Sequence, residues 1–155
     1  MAKKSGTKGY NTNLAAEFHM MSLFHRAQLE PSLSLGNKKG VDIVLYHPDR
    51  AADIIEVKGV ADKMDWMIGD KVTLPALPNM YYALVCFNRR IGELMTSPDF
   101  WLIPSMLLAK EGEYAVASNG KTVFLRNAHI RKNYEPYMNT FEHLSRHTKT
   151  WRALT

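Results

Sequence analysis

Two apolar runs, Val41–Tyr46 and Ala52–Lys58, are separated only by His47-Pro48-Asp49-Arg50, and this spacing narrows the fold more than any other feature of the chain. Proline presets one backbone angle, and a short acidic side chain bonds nearby backbone, so the intervening residues read as a turn. Two strand-like runs joined so closely pair as an antiparallel hairpin. A shorter strand around Leu33–Leu35 is expected to precede them.

A helix is expected before the hairpin, from Asn13 to Leu29. Asn11, Thr12 and Asn13 offer N-cap side chains, and Pro31 stops it. At 100° per residue Leu14, Met20, Met21, Phe24 and Ala27 share one broad face, with His19, Ser22 and Arg26 opposite. Glu17 falls inside the apolar sector, between Met21 and Phe24. A carboxylate there is costly unless a cation, a lysine or backbone donors compensate it.

After the hairpin, Val60–Asn79 reads as an irregular loop with a helical turn, lying beside the site. Tyr81–Phe87 and Asp99–Ile103 read as strands, the second stopped by Pro104. Ser105–Lys110 reads as a short helix and Thr122–Leu125 as a final strand after the Asn119-Gly120 turn. A last helix is expected from about Asn139, with Phe141, Leu144 and Trp151 inward and Arg146, Lys149 and Arg152 outward. Helices and strands in this order give an α/β (α+β) class. The length of 155 residues suits one core, so residues 1–10 are read as a flexible basic tail and 11–155 as a single domain.

The chemistry lies in Asp53-Ile54-Ile55-Glu56-Val57-Lys58-Gly59. Side chains alternate across a strand, so Glu56 and Lys58 share one face and Ile55 and Val57 the other. An acid and a lysine so placed can meet one bound phosphate, the acid through a divalent cation and the lysine at the attacking water or the phosphate charge. Asp42 enters the neighbouring strand, and the hairpin can bring it beside Glu56. Two carboxylates with waters and a phosphate oxygen are ordinary Mg²⁺ ligands. Glu17 leans in from the helix toward a metal-bound water or a second cation. Acid-any-lysine triplets arise by chance, and a surface ion pair is the bland alternative; the weight rests on the combination.

These segments resemble the PD-(D/E)xK nuclease superfamily. The matching pieces are Ala16-Glu17-Phe18, Gly40-Val41-Asp42-Ile43 and Ile55-Glu56-Val57-Lys58-Gly59. Phe100-Trp101-Leu102-Ile103-Pro104-Ser105 is similar to the Ile-Pro-Ser turn of small members. The resemblance spans roughly residues 12 to 108. It implies a restriction-endonuclease-like αβββαβ core, with a central mixed sheet flanked by helices. It further implies Mg²⁺-dependent phosphodiester hydrolysis, with Mn²⁺ as a substitute, and DNA as the usual substrate. Asp42 and Glu56 correspond to metal ligands, Lys58 to the catalytic lysine and Glu17 to a helper acid. Val41 stands where the name-giving proline would be.

Two alternatives accompany the endonuclease reading. One is a Holliday-junction resolvase-like enzyme, although such enzymes carry more basic residues and a serine in the loop that here reads Leu35-Gly36-Asn37-Lys38-Lys39. The other is a non-catalytic module holding nucleic acid or protein on the same fold. The formal charge of +5 favours polyanionic partners only weakly. Asn37, Lys38 and Lys39 beside Asp42, and Arg146 and Lys149 in the basic C-terminal stripe, are the expected phosphate contacts; solvated basic surface is the alternative for each. Trp66 reads either as a base-stacking platform or as the cover of a core edge. Cutting both strands commonly uses two active sites, which makes a homodimer an expectation.

Other classes find little support. Cys86 is the only cysteine and sits in an apolar run, so it reads as a buried small hydrophobe in a cytoplasmic, reducing setting. The histidines show no zinc-like spacing. There is no Gly-rich phosphate loop, hence no nucleotide cofactor, and no Gly-x-Ser-x-Gly elbow. No apolar segment is long enough to cross a membrane.

Overall fold

The computed structural model describes residues 5–34, 40–69 and 76–144. Helix α1 (Ser5–Arg26) leads into strands β1 (Glu30–Leu33), β2 (Ile43–Tyr46), β3 (Asp53–Val60), β4 (Trp66–Gly69), β5 (Met80–Cys86) and β6 (Asp99–Pro104). Helix α2 (Ser105–Glu111), strands β7 (Tyr114–Val116) and β8 (Val123–Leu125), helix α3 (Asn127–Asn133) and a 3₁₀ turn at Glu135–Tyr137 follow. Five strands form one sheet in the order β1-β2-β3-β5-β6, and three form a second in the order β4-β8-β7. In the large sheet β3 and β5 run parallel and all other neighbours antiparallel. The result is a mixed α/β architecture whose main sheet is flanked by helices.

The hairpin forms as its sequence dictates, with Ile43 opposite Ile55 and Leu45 opposite Asp53. Arg50 Nη1 and Nη2 donate to the two oxygens of buried Asp53 at 2.8 and 2.7 Å, anchoring the turn with charge-assisted bonds. The register places Ile43, Leu45, Ile55 and Val57 on one face with Tyr81, Ala83, Val85, Phe100 and Leu102. Ala16, Met20 and Phe24, spaced by four along α1, close over that face and are fully buried. Leu14, Met21 and Ala27, expected on the same stripe, are only half-buried.

Helix α1 begins at Ser5, inside the stretch read as tail, and stops at Arg26 rather than Leu29. Its end is set by Gln28, in the left-handed region at φ 58°. Gln28 N–H bonds His25 O and Leu29 N–H bonds Phe24 O, both at 3.0 Å, which is the Schellman closure. Pro31 therefore lies within β1 instead of terminating the helix.

The opposite sheet face carries Met80, Tyr82, Leu84, Cys86, Trp101 and Ile103, covered by Trp66, Leu108, Leu125, Ile130 and Tyr134. Trp66 is fully buried, packs edge-on against Trp101 and donates its indole N–H to Val85 O at 3.1 Å. It is a core residue with no free face for a base. The segment expected as a loop thus holds β4, and where the implied core has a helix between its parallel strands, the described residues joining β3 to β5 hold this strand. The start of the expected last helix is also different. Asn139 has φ 52°, and Asn139–Leu144 are not helical, although Phe141 stacks on Phe24 at 4.9 Å and Leu144 is buried as anticipated. Trp151 and Arg152 lie outside the described residues.

At Gly59 helix α1 lies close against the sheet. A Cβ there would stand 2.8 Å from Ala16 Cβ and 2.9 Å from Thr12 O. Gly59→Ala is expected to destabilise the fold by about 1–3 kcal/mol through overpacking. At Gly92 an added Cβ would meet nothing within 4 Å, so Gly92→Ala serves as the control. Denaturant unfolding of both variants checks this, and equal stabilities would refute the close-packing argument.

Candidate functional site

Strand β2 is shorter than β3, and the site grows from this mismatch. The antiparallel register ends at Ile43 opposite Ile55, while β3 runs on to Val60 with only β5 beside it. Backbone N–H groups alternate in direction along a strand, so those of Val57 and Gly59 point away from β5 into the space β2 does not fill. A buried donor left unpaired is expensive. Asp42 Oδ2 accepts from Val57 N at 2.7 Å, and Asn13 Oδ1 accepts from Gly59 N at 3.1 Å. Two side chains thereby substitute for the missing strand. Asn13 and Glu17 are one helical turn apart, so the contact that docks α1 on Gly59 also brings Glu17 to this edge.

Glu56 and Lys58 share the sheet face of Tyr82. Lys58 Nζ lies 2.6 Å from Glu56 Oε1, with the Glu56 side chain 10% and the Lys58 side chain 25% exposed. Tyr82 is the register partner of Glu56 on β5, and its hydroxyl hydrogen-bonds the carboxylate. Gly40, at φ +87°, lies over the other oxygen: a Cβ there would sit 3.5 Å from Oε2. Asp42, just before β2, bonds β3 on both sides of Glu56: its N–H donates to Ile55 O at 3.0 Å and its carboxylate accepts from Val57 N.

The electrostatics show that these groups sense one another. Burial raises the Asp42 pKa above its ordinary value; the Val57 N–H and the Lys58 charge oppose the rise, and Glu56 adds to it. Burial also raises the Glu17 pKa, with Asp42 pushing it further up and Lys58 pulling it down. Burial and then the Glu56 charge push the Tyr82 hydroxyl upward, holding it as a neutral donor. Among the described residues, Lys58 thus acts on all three carboxylates: on Glu56 at ion-pair distance, and on Asp42 and Glu17 through its charge.

All four residues singled out in the sequence, Glu17, Asp42, Glu56 and Lys58, come together. Asn37, Lys38, Lys39, Arg146 and Lys149 lie outside the described residues. Sequence reasoning missed Tyr82, whose place beside Glu56 depends on a long-range parallel register. It also missed Asn13 as an edge cap, having read it as a helix N-cap. Gly59 after the triplet was the available signal for a close helix–strand approach.

The donor set limits which cation fits. Among the described residues no three His, Cys, Asp or Glu side chains cluster closely enough to hold an ion by themselves. Mg²⁺ does not require such a cage, since it keeps several waters and uses one or two carboxylates plus substrate phosphates. Asp42 and Glu56, flanking one strand edge, fit that mode and do not fit a structural zinc site. Comparison with known proteins gives no relative: no protein-family model, curated protein or solved structure matches the chain.

The raised acids predict a pH signature. A carboxyl whose folded pKa exceeds its unfolded value penalises the folded state once ionised. For Glu17 the penalty is absent below the ordinary value of 4.5, grows as pH rises through the folded value, and is complete at neutral pH. In chelator, Glu17→Gln is expected to raise the thermal midpoint at pH 7 by about 2 °C, the scale of a fraction of a kcal/mol in a chain of this size. The gain should fade below pH 4.5. An equal gain at both pH values would show that the carboxylate charge is not the cause.

Proposed function

We propose that the chain is a divalent-metal-dependent endonuclease that hydrolyses phosphodiester bonds in DNA, built on a restriction-endonuclease-like fold. The carrying observation is the meeting of Glu17, Asp42, Glu56 and Lys58 at the uncovered end of β3. The order α1, β1–β2–β3, then β5 parallel to β3 supports the fold reading, and β4 in the β3–β5 connection departs from it. A cytoplasmic setting and a homodimer with two such sites belong to the same proposal.

Asp42 and Glu56 would hold Mg²⁺ or Mn²⁺, and Glu17 would orient a water at its rim. When bound, the cation polarises the phosphodiester and lowers the pKa of a coordinated water. Lys58 carries its ammonium on a flexible stem beside these acids, and donates to a phosphoryl oxygen as charge builds there. Val57 N–H fixes Asp42, and Tyr82 fixes Glu56, so neither carboxylate must be oriented at the moment of reaction.

A second reading has its own support in the closed Lys58–Glu56 pair: a non-catalytic module, in which that pair is only structural. The deciding assay offers plasmid, linear and branched DNA with Mg²⁺ or Mn²⁺. Cleavage is expected, with Glu56→Ala and Lys58→Ala each lowering it by at least about 100-fold. Lys58→Ala should leave DNA affinity within a few-fold. Preference for branched DNA would identify the junction-resolving variant, and no cleavage of any substrate with either metal would favour the binding module.

A further inference from the structure

Glu56 carries a positive partner from its own strand. Lys58 Nζ sits 2.6 Å from Glu56 Oε1. Glu56 is only 8% exposed, so its charge is poorly served by solvent. Tyr82 supplies one neutral donor, and the Lys58 ammonium is the cation paired with it among the described residues. Asp42 is instead held by a backbone N–H.

We propose that Lys58 is the resident counter-ion of this site, and that a divalent cation enters by displacing its ammonium from Glu56, freeing Lys58 for the phosphate. This rests on the reading of Asp42 and Glu56 as cation ligands, and it adds an order of events. A dication bound at Glu56 repels an ammonium held on the same carboxylate and draws away the negative charge that holds it, so the two compete. Tyr82 holds Glu56 from the side of β5. The lysine can leave, since its head is partly exposed and its four-carbon stem is flexible. Its release beside the strand edge leaves an unpaired ammonium where a phosphate oxygen would lie. Cation binding and DNA binding therefore help each other, because each is favoured by the same rearrangement. Tyr82 is a positioning residue here: its hydroxyl keeps Glu56 aimed once the ammonium has gone.

Mn²⁺ binding without DNA, followed by the spin-resonance signal of the free ion, tests the exchange apart from catalysis. Lys58→Met removes the competing charge and keeps the stem; it is expected to tighten Mn²⁺ about tenfold. Tyr82→Phe is expected to weaken Mn²⁺ about tenfold, the scale of lost supporting bonds to a metal ligand. Lys58→Arg retains a positive head and should bind Mn²⁺ no better than the natural chain, which separates charge competition from repacking. Thermal unfolding of each sample checks that it is folded. With Ca²⁺ as the cation and a short duplex as the probe, adding cation should tighten DNA binding of the natural chain more than that of Lys58→Met. Mn²⁺ affinity unchanged or weakened in Lys58→Met, or equal in the Met and Arg variants, overturns the exchange. Cleavage by the natural chain together with that result would remove this inference alone. Tighter Mn²⁺ in Lys58→Met without cleavage would sustain it and remove the nuclease reading.

Discussion

The structure turns on the unmatched length of β3. Had β2 continued alongside it, the Val57 and Gly59 N–H groups would have found main-chain carbonyls and the edge would be inert sheet. Because β2 stops at Ile43, a side chain must complete each bond, and the two that do so come from different elements, Asp42 before β2 and Asn13 in α1. Donors withdrawn from water need a partner; the Val57 bond is part-buried, while the Gly59 bond lies at the exposed end of the strand. The same requirement therefore brings the entry of one strand and one turn of a helix to a single point, and Glu17 arrives as a consequence of Asn13.

That assembly opposes stability. Burial raises both Glu17 and Asp42, and among the described residues Lys58 is the one ammonium acting on these two acids and Glu56. A fold selected only for stability would place neutral or apolar groups here, since the surrounding sheet is well packed on both faces. Local disagreement between a stable core and a costly polar cluster is the usual mark of a site kept for its chemistry. The clustering is the stronger part of this argument, because isolated buried acids also occur as structural ion pairs, as Asp53 does with Arg50.

How much of this was legible in the sequence follows from the range of each interaction. The hairpin, the buried line through Met20 and Phe24, the shared face of Glu56 and Lys58, and the strands around residues 81–87 and 99–103 rest on local periodicity or turn chemistry, and all were readable. The approach of Glu17 to Asp42 was readable only as a motif. Tyr82 beside Glu56, Trp66 beneath the second sheet and the start of α3, capped by Asp65 Oδ1 on Asn127 N at 2.9 Å, depend on partners distant in the chain. α3 has only Ile130 as a buried hydrophobic residue, so its pattern carries no helical period. The left-handed Gln28 and Asn139 ended or prevented helices where no glycine announced it.

The position of Glu56 within the sheet connects these points. β3 is the strand at which pairing changes from antiparallel, toward β2, to parallel, toward β5. On the antiparallel side the chain returns by a tight turn, and the short partner leaves donors open. On the parallel side the connection must be long, which frees β5 to present a residue chosen by register alone, Tyr82. Glu56 thus has an adaptable polar edge on one flank and a fixed, buried donor on the other. A carboxylate gripped on one side and approachable on the other can exchange its counter-ion without moving, whereas one embedded between two full strands could not. Under the proposed function, the asymmetry of the sheet at β3, more than the identity of any single acid, is what would let Glu56 change its partner.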